Sequence, residues 1–327
     1  MKIIITGATG AFGAAMTRYL FHAGHQIIAT GRAKTPPKEL LAYATYYSLD
    51  LTKDFTLPEA DVCIHSAALS DDKATMKILY APNVEGTRRI IEASDAYKKL
   101  IFISSSSVYL PQSEPILEDL AGKQNTKALS PYGYSKLLSE QEIHARFKGE
   151  SAFILRPRAF YGAGDTQIMP RMLKLVKKGV FTRPGKLEIE LSMTHYENIG
   201  AAITCCLASK REGINTYNVA DDEVYTMIDT LRSIFAALYK HPLPEKEINI
   251  GVLKALAFFR VGGLTPLLVR ALTKNMVLDI TKIKTELGYR STTNLTKSLP
   301  QLVVWVDKIG GPETLKTVTN KVLWESH

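Results

Sequence analysis

The chain has few of the residues that support a disulfide-rich or metal-centred protein. Its 327 residues include only three cysteines, which are too few and too badly placed for a disulfide framework: Cys63, Cys205 and Cys206. Its seven histidines show no metal-ligand spacing, and we predict no metal site. Because low cysteine usage fits a reducing compartment, we expect a cytoplasmic protein.

Long hydrophobic runs are also missing. The most apolar stretch, 248–272, is interrupted by Lys254 and Arg260, which argues against a membrane-spanning helix. No signal peptide is recognisable, because residues 1–5 lead directly into a β-branched run. We interpret 248–272 as core helices, a lid over a substrate or a patch that contacts a membrane surface.

The positive charge is not concentrated in one place. The formal net charge is +9, yet no Lys/Arg-rich tract with interleaved aromatic residues occurs. Nucleic acid is therefore not an expected partner, whereas an acidic small molecule suits this balance. We predict a small-molecule substrate.

The amino terminus contains a glycine-rich turn between a strand pattern and a helix pattern. Lys2 to Thr6 is a β-branched run, and the apolar spacing from Ala14 to Ala23 is helical. A glycine-rich hairpin is the alternative, but the flanking strand and helix favour a turn that holds a pyrophosphate at a helix N-terminus. We predict that this turn binds a dinucleotide through Thr6, Gly7, Ala8, Thr9, Gly10, Ala11, Phe12 and Gly13.

The second predicted strand, Gln26 to Thr30, is followed by Gly31, Arg32 and Lys34. Sites for NAD often have a carboxylate here, which binds the ribose hydroxyls and would repel a 2'-phosphate. An arginine would instead bind that phosphate. NADP is therefore the favoured cofactor and NAD the alternative, unless these cations are only solvated surface charges.

The first half of the chain alternates between strand and helix patterns. Further strands are predicted at Ala44–Leu49, Val62–His65, Leu100–Ser104 and Ala152–Leu155, and helices at Val84–Tyr97, Tyr132–Phe147 and Ile168–Lys178. This order predicts an α/β fold with a doubly wound parallel sheet and a smaller, mostly helical lobe. We assign 1–165 to the sheet domain, with 192–220 returning to it, and 166–191 and 221–327 to the lobe.

A tyrosine and a lysine share one face of a predicted helix. Tyr132 and Lys136 are four residues apart in SPYGYSKLLSEQ. A free phenol has a pKa of about 10, and a neighbouring ammonium lowers it towards neutral pH. Tyr132 could then exchange a proton with a substrate oxygen, while a hydroxyl from the SSSSVY segment hydrogen-bonds the same oxygen.

Together these motifs resemble the extended short-chain dehydrogenase/reductase family, also called the NAD-dependent epimerase/dehydratase family. The resemblance implies a Rossmann domain with a substrate lobe, and often a homodimer. The motifs that carry it are T-G-x-x-G-x-x-G (Thr6 to Gly13), H-x-A-A (His65 to Ala68), N-V-x-G-T (Asn83 to Thr87), S-S-x-x-V-Y (Ser104 to Tyr109), P-Y-x-x-S-K (Pro131 to Lys136), R-P-x-x-x-Y-G (Arg156 to Gly162) and a late E-L-G-Y (Glu286 to Tyr289).

The resemblance also implies roles for single residues. It makes Tyr132 and Lys136 catalytic, with Lys136 also holding the nicotinamide ribose. The catalytic serine falls on Ser105, or on Ser106 if the turn is shifted. Further cofactor contacts are implied at Asp50, Leu51, Ser66, Ala67, Ala68, Asn83, Ser104, Arg156, Pro157, Ala159 and Phe160.

Departures from the family patterns disfavour some of the reactions that members of this family catalyse. Ser106 and Ser107 stand where sugar-nucleotide dehydratases have an Asp–Glu pair, which disfavours a dehydratase. Leu191 stands where epimerases have a diphosphate-binding arginine, although another arginine of the chain could replace it: Arg158, Arg171 or Arg183.

The remaining features favour the branch that resembles 3β-hydroxysteroid dehydrogenases. The segment THYENIGAAI and the apolar stretch 248–272 suit an oily substrate. We therefore predict an NAD(P)-dependent oxidoreductase that interconverts a secondary alcohol and a ketone, with an apolar or mixed substrate. A nucleotide-sugar epimerase or reductase and a non-catalytic, NADP-binding redox sensor are the alternatives.

Overall fold

A computed structural model describes residues 1–71, 74–259 and 266–318. Most of the apolar stretch 248–272 is therefore described, but its residues 260–265 lie outside the described part of the chain.

A seven-stranded parallel sheet forms the centre of the described structure, in the order β12-β6-β5-β4-β1-β2-β3. The doubly wound α/β fold predicted from the sequence is confirmed. Ile3, Ile4 and Ile5 are all fully buried, because helices cover both faces of the sheet. Its strands are β1 (Lys2–Thr6), β2 (Gln26–Gly31), β3 (Thr45–Ser48), β4 (Val62–His65), β5 (Lys99–Ile103), β6 (Ser151–Pro157) and β12 (Gly213–Val219).

Helices of the first half cover the two faces of this sheet, and later helices build the lobe. The α-helices are α1 (Ala11–His22), α2 (Met76–Leu79), α3 (Gly86–Glu92), α4 (Pro131–Arg146), α5 (Ile168–Leu173), α6 (Tyr196–Ala208), α7 (Met227–Tyr239), α8 (Ile250–Phe258), α9 (Pro266–Ala271), α10 (Thr281–Leu287), α11 (Leu295–Lys308) and α12 (Pro312–Leu315). Helices α1 and α6 pack on one face through residues such as Met16 and Ile203, and α3 and α4 pack on the other through Ile90 and Ile143.

Strand β1 is the point at which the strand order reverses. Thr6 at its carboxyl end pairs with Thr30 of β2 on one side and with His65 of β4 on the other. The chain proceeds outward from β1 in both directions, so a crevice opens above the carboxyl ends of these strands. This crevice is the ligand-binding position of doubly wound folds.

The lobe has its own core, which includes Phe181, Phe235 and Trp305. Its strands are short: β7 (Phe160–Tyr161), β8 (Val176–Lys177), β9 (Val180–Pro184), β10 (Glu190–Leu191), β11 (Thr194–His195), β13 (Tyr225–Thr226) and β14 (Glu245–Ile248). Ile283 and Tyr289, from the late segment assigned to the lobe, pack into the core of the large sheet. The domain boundaries therefore stay a prediction.

Two helices differ from the sequence-based expectation. The helix predicted over Ile168–Lys178 ends at Leu173, because the chain then forms a hairpin of β8 and β9 around Gly179, whose φ is +73°. The helix predicted over Val84–Tyr97 is shorter: a π-helical turn at Tyr80–Glu85 precedes α3, and a 3₁₀ turn follows it. The predicted bounds of these two helices were therefore wrong.

Within the described ranges, no helix combines the length and the apolar character needed to cross a lipid bilayer. Over the same ranges, no three His, Cys, Asp or Glu side chains lie together as a metal site would require.

Candidate active site

A cleft of about 580 Å³ lies above the carboxyl ends of β1, β2, β4, β5 and β6. Almost all the residues predicted to bind cofactor or to act in catalysis form its wall. The predicted residues in the wall are Gly7, Thr9, Gly10, Ala11, Phe12, Gly13, Arg32, Asp50, Leu51, Ser66, Ala67, Ala68, Ser104, Ser105, Tyr132, Lys136, Pro157, Ala159 and Phe160. Four others, Thr6, Ala8, Asn83 and Arg156, lie outside it.

The glycine turn between β1 and α1 brings the start of the helix against the strand. Gly7 has a φ of +72°, and a Cβ there would lie 2.8 Å from the Cα of Ala67. A Cβ on Gly13 would overlap the carbonyl of Gly7. Gly10 is the N-cap of α1, so the first amide groups of this helix are not used within it. The turn fits a pyrophosphate, because bare backbone and free N–H groups meet here.

Thr6 lies behind the wall and holds the loop that follows β4. Its Oγ1 accepts hydrogen bonds from the backbone N–H groups of Ser66 and Ala67, at 3.2 and 3.1 Å. It also lies 2.8 Å from Nδ1 of His65. Burial lowers the pKa of His65 to about 3, so this histidine is neutral. Thr6 is therefore a positioning residue.

Asn83 also supports the wall from behind. Its Oδ1 accepts a hydrogen bond from Leu69 N (2.7 Å), and its Nδ2 donates to Leu69 O (3.1 Å) and Ser135 Oγ (2.9 Å). Asn83 lies in the π-helical turn at Tyr80–Glu85, an irregularity that is frequent at functional sites. It ties the loop after β4 to α4.

Arg32 and Asp50 line the end of the cleft next to β2. Arg32 is exposed in the wall, whereas Lys34 is not part of the wall. Asp50 accepts hydrogen bonds from the hydroxyl and the N–H of Thr52, which lower the pKa of its carboxyl group. This end of the cleft thus presents both a guanidinium, from Arg32, and a carboxylate, from Asp50.

The serine segment after β5 places two hydroxyl groups together at the cleft. Ser105 Oγ accepts from Ser107 N at 3.1 Å and donates to Ser107 Oγ at 3.0 Å. Ser104 instead donates to the carboxylate of Glu140, and Ser106 is buried although it contributes to the wall. Ser105 and Ser107 are therefore the two partly exposed hydroxyl groups of this segment in the cleft wall, and Ser105 stays the predicted catalytic serine.

Helix α4 presents Tyr132 and Lys136 to the same cleft. The helix begins with Ser130 as its N-cap, which accepts from Gly133 N at 3.0 Å, and with Pro131 in its first turn. Lys136 is 3% exposed, and its Nζ donates to Ile103 O at 2.8 Å. Burial lowers the pKa of Lys136 to about 7, against a smaller opposing effect of Glu140.

Two residues of α4 that the sequence analysis did not single out fix this arrangement. A Cβ on Gly133 would overlap the carbonyl oxygen of Ser107, so only glycine lets the helix lie this close to the serine turn. Glu140 is buried four residues after Lys136 and bonds Ser104. The four-residue spacing of Tyr132, Lys136 and Glu140 places them on one face of a helix, and this spacing could have indicated Glu140 from the sequence.

Arg156 pairs with Glu140 and does not reach the cleft. Its Nε and Nη2 donate to the two carboxylate oxygens of Glu140, at 2.9 and 2.6 Å. Its Nη1 donates to Tyr109 OH (2.6 Å) and Glu118 O (2.7 Å), and Tyr109 donates to Asn218 Oδ1 (2.8 Å). The Arg156 side chain is thus held in a buried network, and a contact of Arg156 with a cofactor stays a prediction.

The three arginines named as possible anion ligands lie in two different places. Arg158 and Arg171 line the cleft. Arg183 pairs with Glu245 (3.2 Å) and Glu247 (2.7 Å) in the lobe. Only Arg158 and Arg171 of these three can meet a ligand in the cleft.

Aromatic rings close the cleft between the glycine turn and β6. The ring of Phe160 lies 5.0 Å from that of Phe12 and stacks on Tyr196 at 5.7 Å. Ala159, just before it, has a φ of +44°, which turns the chain sharply after β6. Phe160 therefore combines a packing role with a place in the wall.

A doubly wound sheet with a glycine turn at its switch point, and a Tyr/Lys helix beside a serine turn, define a nicotinamide-dependent oxidoreductase of the short-chain dehydrogenase/reductase type. Comparison with known families agrees: residues 3–220 match the NAD dependent epimerase/dehydratase family. The chain belongs to this family, as its motifs predicted.

Characterised relatives include reductases and dehydrogenases. The chain is 25% identical over 267 residues to 2-alkyl-3-oxoalkanoate reductase of Stenotrophomonas maltophilia, covering 76% of this chain and 79% of the relative. It is 24% identical over 294 residues to the decarboxylating sterol-4-alpha-carboxylate 3-dehydrogenase of Schizosaccharomyces pombe. This match covers 82% of this chain and 86% of the relative. The second relative fits the predicted branch.

Solved structures share the fold. UDP-glucuronic acid 4-epimerase from Bacillus cereus, solved in complex with NAD, superposes with a TM-score of 0.75 at 21% identity. The match covers 94% of this chain and 99% of that one. At this identity the likeness supports the fold alone.

Proposed function

We propose that this protein is an NADP-dependent oxidoreductase that interconverts a secondary alcohol and a ketone. The observation that carries the proposal is the convergence of Tyr132, Lys136 and Ser105 in one cleft with the glycine turn. When bound, the nicotinamide cofactor supplies or accepts the hydride.

In the reduction, Tyr132 donates its phenolic proton to the substrate oxygen while the carbonyl carbon is reduced. Ser105 donates a hydrogen bond to the same oxygen and stabilises its developing negative charge. Lys136 favours the phenolate that is left, because an ammonium beside a phenol lowers the pKa of that phenol. Alcohol oxidation uses the same groups in reverse.

NADP, rather than NAD, is the cofactor that we assign. Arg32 lies in the cleft wall immediately after β2, where a carboxylate would exclude a 2'-phosphate. The glycine turn serves the pyrophosphate that both cofactors share.

The substrate that we assign is a 3-oxo or 3-hydroxy carboxylate with an apolar body. The names of the two relatives both place a carboxylate on the carbon next to the reacting one. An apolar body suits a wall that includes Leu69, Phe160 and Ile168.

A nucleotide-sugar epimerase is the second candidate, favoured by two arginines that line the cleft in addition to Arg32, namely Arg158 and Arg171. Against it, Leu191 is buried in the lobe core at the position expected for a diphosphate-binding arginine.

A screen of NADPH oxidation tests the proposal. We expect turnover with 3-oxo acids and other apolar ketones but not with UDP-sugars, and loss of at least about 100-fold in kcat for Tyr132→Phe, since general acid catalysis contributes 10²–10⁴-fold. NADPH affinity, followed by fluorescence, should be unchanged in that variant.

Other outcomes separate the alternatives. Full activity of Tyr132→Phe would contradict the mechanism, and turnover or tight binding of UDP-sugars alone would favour the epimerase. NADPH binding without turnover of any compound would favour the redox sensor.

A further inference from the structure

Arg158 is a cation in the cleft, and no carboxylate within residues 1–71, 74–259 and 266–318 forms an ion pair with it. Its Nε is buried and has no hydrogen-bond partner among these residues. Desolvation lowers the pKa of its guanidinium to about 10, and within the described part of the chain no carboxylate offsets this effect. The group stays protonated at neutral pH, and a desolvated cation is costly unless an anion meets it.

Arg156 differs from Arg158 in that its guanidinium is fully paired. Arg156, two residues earlier, has a bidentate partner in Glu140 and a buried network around it. The peptide of Arg158 is equally well held, since Thr194 Oγ1 accepts from its N–H (3.1 Å) and donates to its C=O (2.9 Å). The backbone is fixed while the guanidinium is left for a ligand.

The position of Arg158 argues against a cofactor phosphate as this ligand. The pyrophosphate turn follows β1, and Arg32 follows β2. Arg158 follows β6, which is separated from β1 by β4 and β5. Three strand spacings amount to about 14 Å. The end of β6, just before Arg158, is therefore three strand positions from the end of β1, and β5 with its serine turn lies between them. This strand order favours a substrate group over a cofactor phosphate as the ligand of Arg158.

We propose that Arg158 binds the carboxylate of a 3-oxo or 3-hydroxy acid and so determines the specificity of this enzyme for acids over neutral ketones. The inference rests on the proposed function. A planar guanidinium matches a single carboxylate in geometry and charge. With the carboxylate held by Arg158, the neighbouring carbon is fixed relative to Ser105 and Tyr132.

The reaction that tests this assignment uses stable alcohols. Oxidation of 3-hydroxyoctanoate by NADP⁺ gives the 3-oxo acid, NADPH and one proton, and 3-hydroxyoctanamide is the matched neutral compound. We expect Arg158→Gln to lower kcat/KM for the acid about 10- to 100-fold, chiefly through KM, because a charge-assisted hydrogen bond is lost. The same change should affect the amide by less than about threefold, and Arg158→Lys should restore part of the acid preference.

Arg32→Gln is the control, since it removes a positive charge from the same cleft at the cofactor end. It should raise the KM for NADP⁺ and leave the ratio of acid to amide unchanged. Equal losses on acid and amide in Arg158→Gln would overturn the inference, and so would a wild-type enzyme that does not prefer the acid.

A binding measurement separates this inference from the proposed function. Calorimetry with octanoate and octanamide on the NADP⁺-loaded protein requires no turnover. If neither alcohol reacts but octanoate binding still depends on Arg158, the carboxylate site stands and the proposed reaction fails. If octanoate binding is the same in Arg158→Gln, or if UDP binding depends on Arg158 in its place, the carboxylate assignment is wrong.

Discussion

The Lys136 ammonium has a carbonyl partner and almost no contact with water, and its protonation is therefore linked to folding. Burial lowers its pKa to about 7 in the folded chain, whereas a lysine in an unfolded chain has a pKa near 10.4. Between these values the unfolded chain binds one proton more than the folded chain. The free energy of unfolding should therefore rise with pH from about 7 to 10, by at most about 1.4 kcal/mol per unit. Below pH 7 the lysine is protonated in both states, so the free-energy cost of burying its charge is constant there and at its largest.

Lys136→Met tests this linkage. Urea unfolding of the cofactor-free protein at pH 7, 8 and 9 should show that the variant lacks the rise, so the free energy of unfolding of the variant minus that of wild type falls as pH increases. Lys148→Met, on an exposed lysine near the end of α4, is the control and should follow the wild-type pH dependence. Parallel curves for wild type and Lys136→Met would contradict the assigned titration.

Arg32 is a second residue whose proposed role, binding the 2'-phosphate of NADP, can be tested by itself. Arg32→Ala should weaken NADP binding by about 10-fold or more and NAD binding by less than about threefold, because NAD has no 2'-phosphate to lose a charge-assisted contact. Dissociation constants for both cofactors, measured by fluorescence titration, give the comparison. Equal losses for the two would remove the argument for NADP.

At the scale of secondary structure, helix α4 carries the site. It holds Tyr132 and Lys136 on one face, and its Gly133 touches the serine turn after β5. The two side chains that we propose to be catalytic, Tyr132 and Ser105, thus depend on one close approach between a helix and a loop.

Gly133→Ala should displace this contact. Since the new methyl group would overlap the Ser107 carbonyl, we expect a loss of about 1–3 kcal/mol in stability and at least a tenfold loss in kcat. Gln141→Ala, on the exposed face of α4, should change neither quantity measurably. The measurements are thermal or urea unfolding and steady-state kinetics, and wild-type kcat in Gly133→Ala would show that the approach is not needed.

At the scale of the whole molecule, the sheet and the cleft were predictable because their signals are local. The β-branched run before Gly7 and the four-residue spacing of Tyr132 and Lys136 depend only on residues near each other in sequence. Alternation of strands and helices then brings the carboxyl ends together.

What was missed depends on long-range contacts. Arg156 of β6 pairs with Glu140 of α4, and no local sequence pattern indicates this contact between two elements. The hairpin after Leu173 follows from packing in the lobe core, where Val176 and Phe181 pair across β8 and β9. An apolar helical pattern was not enough to exclude this competing structure.

The network around Arg156 has a practical consequence for protein engineering. Arg156 donates to Tyr109 OH and Glu118 O, Tyr109 donates to Asn218 Oδ1, and Asn218 Nδ2 donates to Ile116 O and Asp279 O. Of these residues, Asp279 lies in the segment 221–327 that we assign to the lobe, so the network links that segment to strands β6 and β12 of the large sheet. A chimera that grafts a foreign substrate lobe onto this scaffold should therefore keep 109–118 and 218 from the recipient, and choose its crossover points outside them. A crossover point inside this network would remove hydrogen-bond acceptors of the Arg156 guanidinium, which is buried next to helix α4.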